Sequence, residues 1–385
     1  MIFDLATTPN IIFGNGQLAM LPKLISQYGN RALLITGKSS FENSELGNKL
    51  YAELKTAKIE FKTVNIENEP SPRDIDQAVL THRQWSPQVT IGIGGGSVID
   101  AGKAISAMLK HELPIKNYLE DVGTQKPNGN KVPFVAVPTT SGTGSEATKN
   151  AVITQAGKDG FKKSLRHNNY VPNIALIDPL LTVNCPPKVT AASGMDAFTQ
   201  LLESYLSTNS NPITDALALD GITRLAANIE TAYLQGNNIE ARSNMSYAAL
   251  ISGITLANAG LGLVHGFAQP LGSIFNMPHG IVCGTLMGAA NRITIERIRK
   301  TNNLSAIKKY HKAAIAAGFD SDENKAIDQF IDFIDELTLK FKLPKLSDLG
   351  IEISDFEKII GNTGLKYHPE KLSDKDLYEI LKMRL

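Results

Sequence analysis

The sequence predicts two domains of different class: an α/β domain built on a parallel sheet over residues 1–186, and an all-α domain over residues 187–385. Three observations lead there. Short apolar runs of strand length alternate with helical patterns as far as residue 178. Beyond Pro186-Pro187 the strand signals stop and long helical periodicities rich in Ala, Leu and Met take over. The length, 385 residues, also favours two cores over one.

Taken in order, residues 10–13 form a short strand and residues 17–28 a helix. Residues 31–36 (RALLIT) read as a buried strand ending at Gly37, followed by a helix over 45–56 and a strand over 60–66. Pro70 and Pro72 punctuate the chain before a helix over 73–84. A strand over 89–93 breaks at Gly94-Gly95-Gly96-Ser97, and a helix over 98–110 follows. Residues 131–137 are another strand, ending in Pro138-Thr139-Thr140. Thr143 and Glu146 have capping-box spacing, which predicts a helix starting there. Residues 151–178 read as a hairpin and a last strand over 174–177. The regular alternation argues for helices on both faces of the sheet.

Composition narrows the function classes. With 42% hydrophobic and 20% charged residues the chain suits a soluble globular protein. A net charge of +1 leaves no electrostatic footprint for nucleic acid and no polybasic membrane patch. Cys185 and Cys283 are the two cysteines and form no Cys-x-x-Cys, which fits a reducing cytoplasm. The start, MIFDLATTPN, lacks a basic region followed by an apolar core, so no signal peptide is expected. Tyr247 to Pro278 carries no Asp, Glu, Lys or Arg, yet Ser252, Asn258, His265, Gln269 and several glycines mark it as buried helices rather than a membrane span.

Several motifs could carry chemistry. Gly94-Gly95-Gly96-Ser97, between a strand and a helix, is either a phosphate cradle or an ordinary tight turn. Thr139, Thr140 and Thr143 follow the next strand, at the edge where open parallel sheets bind ligands; their hydroxyls either meet a ligand or cap the turn. Gly37-Lys38-Ser39-Ser40 ends an earlier strand with no acid to bond a ribose diol or repel an added phosphate, which permits NADP. The charge-free stretch LVHGFAQPLGSIFNMPHG holds His265 and His279, while Asp196 and Gln200 share one helix face at i and i+4. One carboxylate and two imidazoles suit a three-ligand divalent-metal site with an open position; the ordinary alternative is a pair of core histidines.

Together, GGGSVIDAGK at 94–103, PTTSGTGSE at 138–146, IDP at 177–179, GMDA at 194–197, and the HG and PHG motifs beginning at His265 and Pro278 resemble the iron-activated (group III) alcohol dehydrogenases. The resemblance implies the dehydroquinate synthase-like, iron-containing alcohol dehydrogenase fold. That fold has an N-terminal dinucleotide-binding domain, an all-helical domain for metal and substrate, and a divalent metal in the cleft. It implies NAD(P)-linked interconversion of alcohols with aldehydes or ketones. Catalytic residues and metal ligands carried over are Asp196, His265 and His279; Gln200 occupies the usual fourth-ligand place, and Gln269 replaces a further family histidine. Three firm ligands plus water favour Zn2+ over Fe2+.

For the cofactor, the family pattern sets Gly95, Gly96 and Ser97 on the pyrophosphate, Thr139, Thr140 and Thr143 along the ribose and nicotinamide, Asn150 and Lys162 nearby, and Asp100 at the cofactor edge; Gly37 and Lys38, from their place after a strand, are candidates beside the ribose diol of NAD(P). The implied substrate is a small primary alcohol or diol, or the terminal CH2OH of a sugar acid. The 3-deoxy-octulosonate 8-oxidase branch of lipopolysaccharide biosynthesis is one such case, and Lys163, Arg166 and His167 are candidates for meeting an acid. A homodimer is expected. The alternatives are a metal-free keto-acid reductase of the same fold and a non-catalytic cofactor binder.

Overall fold

The computed structural model describes residues 2–38, 41–155 and 160–385. The chain divides into two compact units: Ala6–Thr140 with Gly144–Cys185, and Pro186–Leu385 with Ser141–Thr143 and the N-terminal residues through Leu5. A single division at residue 186 would leave the N-terminal residues and Ser141–Thr143 with the sheet; they pack with the helices instead.

The first unit is organised by a six-stranded sheet. Its strands are β1 (Asn10–Phe13), β2 (Arg31–Gly37), β3 (Glu60–Ile66), β4 (Val89–Gly94), β5 (Phe134–Pro138) and, after a two-stranded ribbon, β8 (Ile174–Ile177). They lie in the order β1-β8-β5-β4-β2-β3, every pair parallel. Along β2 successive side chains take opposite faces. Ala32 and Leu34 join Leu24, Ile25, Leu50 and Leu54 of α1 (Leu21–Ser26) and α2 (Glu45–Thr56). Leu33 and Ile35 join Ile75, Val79, Ile105 and Met108 of α3 (Pro72–His82) and α4 (Gly96–Met108). Burial on both faces is why the strands read as unbroken apolar runs. The ribbon is antiparallel, β6 (Asn150–Gln155) with β7 (Phe161–Arg166); the turn of this expected hairpin, residues 156–159, lies outside the described residues, as do Ser39 and Ser40.

Two expected helices come out differently. Residues 17–20 form a 3-10 turn and α1 begins only at Leu21, because Pro22 sits in the first helical turn, where a missing N–H costs nothing. No long helix starts at Thr143. The chain turns left-handed at Gly144 (φ 60°), makes one 3-10 turn over Ser145–Ala147 and enters β6. The carbonyls of Ser145 (2.9 Å) and Asn150 accept from the ammonium of Lys103 on α4 instead of continuing a helical ladder.

The second unit is helical: α5 (Pro187–Leu206), α6 (Pro212–Leu234), α7 (Ile239–Ala259), α8 (Leu263–Phe275), α9 (His279–Thr301), α10 (Leu304–Ala316), α11 (Glu323–Lys340), α12 (Phe356–Ile360) and α13 (Asp374–Met383). Helix α5 is buried along most of its length among α6, α7 and α9. The charge-free stretch becomes the end of α7 and all of α8, bent by 98° at their junction. Among the described residues no single helix is long and apolar enough to cross a membrane. Leu250, Leu263, Phe267 and Leu271 of that stretch are core residues.

Candidate metal centre

Three helices deliver the candidate donors. Asp196 lies in the middle of α5, His265 in the first turn of α8, and His279 opens α9 directly after Pro278. Pro278 suits a helix start, and Gly280 lets α9 approach α5: a Cβ there would lie 2.6 Å from the carbonyl oxygen of Ala192. Asp196, His265, His279 and Cys283 each offer a ligand atom, all within 4.8 Å of one another. Asp196 Oδ1 is 3.5 Å from His265 Nε2 and 3.4 Å from His279 Nε2. The Cys283 sulfur is 3.8 Å from each of these nitrogens. The side chains of Asp196 and His265 are 2% and 10% exposed, that of His279 33%, so the cluster is open on one side.

The donor set fits a divalent ion. Asp196 Oδ1 is a buried carboxylate oxygen without a hydrogen-bond partner among the described residues; its contacts with the imidazoles are electrostatic. Such an atom is costly unless something positive meets it. A tetrahedral shell with bonds of about 2.0–2.1 Å to nitrogen and oxygen sets neighbouring donors about 3.4 Å apart, close to the two oxygen–nitrogen spacings here.

The protonation pattern agrees. Burial works against the charge of Asp196, but the facing imidazoles hold it far below the usual carboxylate range. Burial likewise opposes charge on His265 and His279, yet the Cys283 sulfur and Asp196 carry both well upward. This cluster therefore attracts positive charge, as protons or as a cation.

His265 is held by a second carboxylate that sequence reasoning missed. Its Nδ1 donates to Glu203 Oε2 at 2.7 Å; a carboxylate only accepts, so Nε2 is the nitrogen turned toward Asp196 and Cys283, where it carries a proton or, with that proton displaced by a cation, offers a lone pair. Glu203 in turn accepts from the backbone N–H of Gly262 (3.0 Å) and Val264 (2.6 Å). Burial alone would raise its pKa; His265 and the two N–H donors lower it. Glu203 stands at i+7 from Asp196 and Cys283 at i+4 from His279, so a reading of helical faces could have found both. Gln200 is buried nearby, but its carbonyl oxygen accepts from Ser252 Oγ at 2.7 Å. Ser252 also reaches the carbonyl oxygen of Gly142 at 3.4 Å. Gln269 is exposed on α8.

In the sheet unit, Gly95 is the residue before α4 and no side chain caps this helix start. Gly94 is required by crowding, since a Cβ would lie 2.6 Å from that of Val98. Thr140 stands beside Gly95: a Cβ on Gly95 would lie 3.4 Å from Thr140 Oγ1. Thr139 is tied to the carbonyl of Gly94 at 2.9 Å. Gly95, Gly96, Ser97, Thr139 and Thr140 thus share the carboxyl ends of β4 and β5, whereas Thr143 belongs to the helical unit.

Other expected cofactor residues have different partners. Asp100 turns inward: Oδ1 accepts from Ser145 Oγ (2.5 Å) and faces Lys103 Nζ (3.2 Å), and Oδ2 accepts from the N–H of Val152 (3.1 Å). It braces the segment before β6. Asn150 offers its carbonyl to Lys103. Lys162 is neither solvated nor unpaired: it meets Glu69 at 2.5 Å. Gly37 ends β2 in open surroundings, and Lys38 forms an exposed pair with Glu67 at 3.1 Å. The proposed acid receptors are also taken, Lys163 by Asp121 (2.8 Å) and Arg166 by Glu120 (2.8 Å), while His167 Nδ1 accepts from the N–H of Asn169 (3.1 Å).

A parallel sheet with a glycine turn at its carboxyl edge, in one chain with a helical unit carrying a carboxylate–imidazole cluster, defines the class: an oxidoreductase of the alcohol dehydrogenase type. The chain belongs to the iron-containing alcohol dehydrogenase family. Residues 8–179 match the iron-containing alcohol dehydrogenase domain, and residues 190–385 match the C-terminal domain of the same family. The chain is 32% identical over 382 residues to an NADPH-dependent butanol dehydrogenase of Clostridium saccharobutylicum, covering 96% of this chain and 95% of that protein. It is 31% identical over 379 residues to a 1,3-propanediol dehydrogenase of Citrobacter freundii, covering 94% and 95%. Among solved structures it matches a 1,3-propanediol oxidoreductase with a TM-score of 0.89 at 29% identity over the whole of both chains.

Proposed function

We propose that this chain is a metal-dependent, NAD(P)-linked alcohol dehydrogenase that moves a hydride between a primary alcohol and the nicotinamide. The observation that carries this reading is the convergence of Asp196, His265 and His279 around a buried carboxylate oxygen that has no hydrogen-bond partner among the described residues. These residues would hold the metal ion, which when bound supplies a Lewis acid to the reacting oxygen. The bound nicotinamide supplies the hydride acceptor or donor.

The chain's own groups do the rest. Glu203 fixes the tautomer of His265, so that one nitrogen always faces the cluster. The uncapped start of α4 offers backbone amides to a pyrophosphate, with Thr140 alongside. Asp100 and Lys103 keep the segment leading into β6 in place. Exposure of His279 on one side leaves the route by which an alcohol reaches the cluster.

Butanol and propanediol are the substrates named for the relatives, which puts small primary alcohols and diols first. A sugar-acid CH2OH is the second class, weakened by the carboxylate partners of Lys163 and Arg166. Fe2+ and Zn2+ both suit one carboxylate with two imidazoles, and a homodimer is the expected assembly. The test is absorbance of reduced nicotinamide with a panel of alcohols, diols and sugar acids, with and without a chelator. Chelator-sensitive turnover of a primary alcohol is expected. Full turnover after complete metal removal would favour the metal-free reductase, and binding of NADP without turnover of any alcohol would favour a non-catalytic binder.

A further inference from the structure

The geometry points to Cys283 as a fourth protein ligand of the metal centre, a thiolate donor that makes the site Asp-His-His-Cys. This rests on the metal-dependent reading above and adds a ligand to it. Cys283 is fully buried on the first turns of α9, one helical turn beyond His279, so the two side chains share a face. Its sulfur is equidistant, at 3.8 Å, from the Nε2 atoms of His265 and His279. Bonds of about 2.0–2.1 Å to nitrogen and about 2.3 Å to sulfur in a tetrahedral shell set a nitrogen–sulfur spacing of about 3.6 Å. The observed spacing is therefore that of two ligands of one ion. The 3.4 and 3.5 Å spacings of Asp196 lie similarly near the nitrogen–oxygen value.

A second observation is independent of the cysteine. Asp196 Oδ1, on an almost fully buried side chain, is aimed into the same cluster and has no hydrogen-bond partner among the described residues. One turn along α5 stands Gln200, a neutral amide whose carbonyl oxygen already accepts from Ser252 and which is a poorer donor than a thiolate beside imidazoles. Among the described His, Cys, Asp and Glu residues, Cys283 is the one that joins the other three in a group whose ligand atoms all lie within 4.8 Å of one another. On binding, the thiol gives up its proton to solvent and a sulfur–metal bond forms, with no change of oxidation state. A soft thiolate beside two imidazoles shifts preference toward Zn2+ or Co2+ and away from Fe2+.

The full chain, stripped with a chelator and reloaded with Co2+, tests this by absorption spectroscopy. One equivalent of cobalt is expected to raise a near-ultraviolet sulfur-to-cobalt charge-transfer band. That band should vanish in Cys283→Ser, which still takes up cobalt through Asp196, His265 and His279 but more weakly than the wild type, and persist in Cys185→Ser. The wild-type spectrum decides the matter even if Cys283→Ser misfolds. One bound cobalt without the band, or a band lost in Cys185→Ser instead, overturns the thiolate while leaving the metal site intact. No cobalt uptake at all overturns the metal-dependent reading itself.

Discussion

The sheet unit and the helical unit prepare for ligands in opposite ways. At the carboxyl ends of β4 and β5, the groups on offer are backbone amides and short hydroxyls from two turns that neighbouring strands set side by side. In the helical unit they are side chains from α5, α8 and α9, far apart along the chain and brought together only by packing. The first arrangement tolerates side-chain change as long as the turn survives. The second fails when one side chain is lost. The sheet unit instead depends on hidden braces, of which Lys103 is the largest: a fully buried cation meeting Asp100, Thr148 and two carbonyls.

That contrast can be broken or sharpened by substitution. Lys103→Met removes one partner of a buried pair, leaving the carbonyls of Ser145 and Asn150 without their donor and Asp100 with Ser145 and Val152 alone. It is expected to cost the sheet unit about 3–5 kcal/mol, read as an earlier transition in urea followed by circular dichroism. The helical unit's metal affinity should be little changed by it. Glu203→Gln removes the charge that orients His265. The expected result is metal binding about ten- to a hundredfold weaker, measured by titration of the stripped chain.

Glu146 supplies a pH test confined to the sheet unit. Burial pushes its carboxyl up to about 7, against which its backbone hydrogen bond and Lys103 act only partly. The folded state then holds a proton that the unfolded chain has released, so Glu146 lowers stability as pH rises from about 4.5 to about 7. Glu146→Gln should flatten this decline, gaining on the wild type at pH 8 relative to pH 5 in denaturation midpoints. An unchanged difference at the two values would place the carboxyl in an ordinary environment. The smallest effect is expected at Lys38, whose exposed pair with Glu67 leaves it a weak handle on an added phosphate. Lys38→Ala should change KM for NADP relative to NAD by no more than about fivefold, which corresponds to about 1 kcal/mol.

Legibility followed the same division. Strands β2, β3, β4 and β8 and helix α2 stood out because strand runs buried on both faces and amphipathic helices leave local patterns. The helix expected at Thr143 failed because capping-box spacing is local too, and here a distant lysine claims the carbonyls that a helix would need. Asp196, His265 and His279 lie on three separate helices, so residue types alone make a metal site one reading beside a pair of core histidines, and family resemblance is what favours it. Glu203 and Cys283 did have one, at i+7 and i+4 from those residues, and went unread. Sequence pattern gives no hint that Lys162 meets Glu69, because that ion pair forms between segments brought together by the fold, whereas Asp100 and Lys103 pair along one helix face.

The central claim is that the cluster around Asp196 holds the ion on which turnover depends. Metal content and NAD(P)-linked alcohol oxidation, measured together on the wild type and on His265→Ala, test it most directly. One ion per chain with chelator-sensitive turnover in the wild type, and neither ion nor turnover in the variant, is the predicted result. A folded His265→Ala protein that lacks the ion and still oxidises alcohols at the wild-type rate would contradict it.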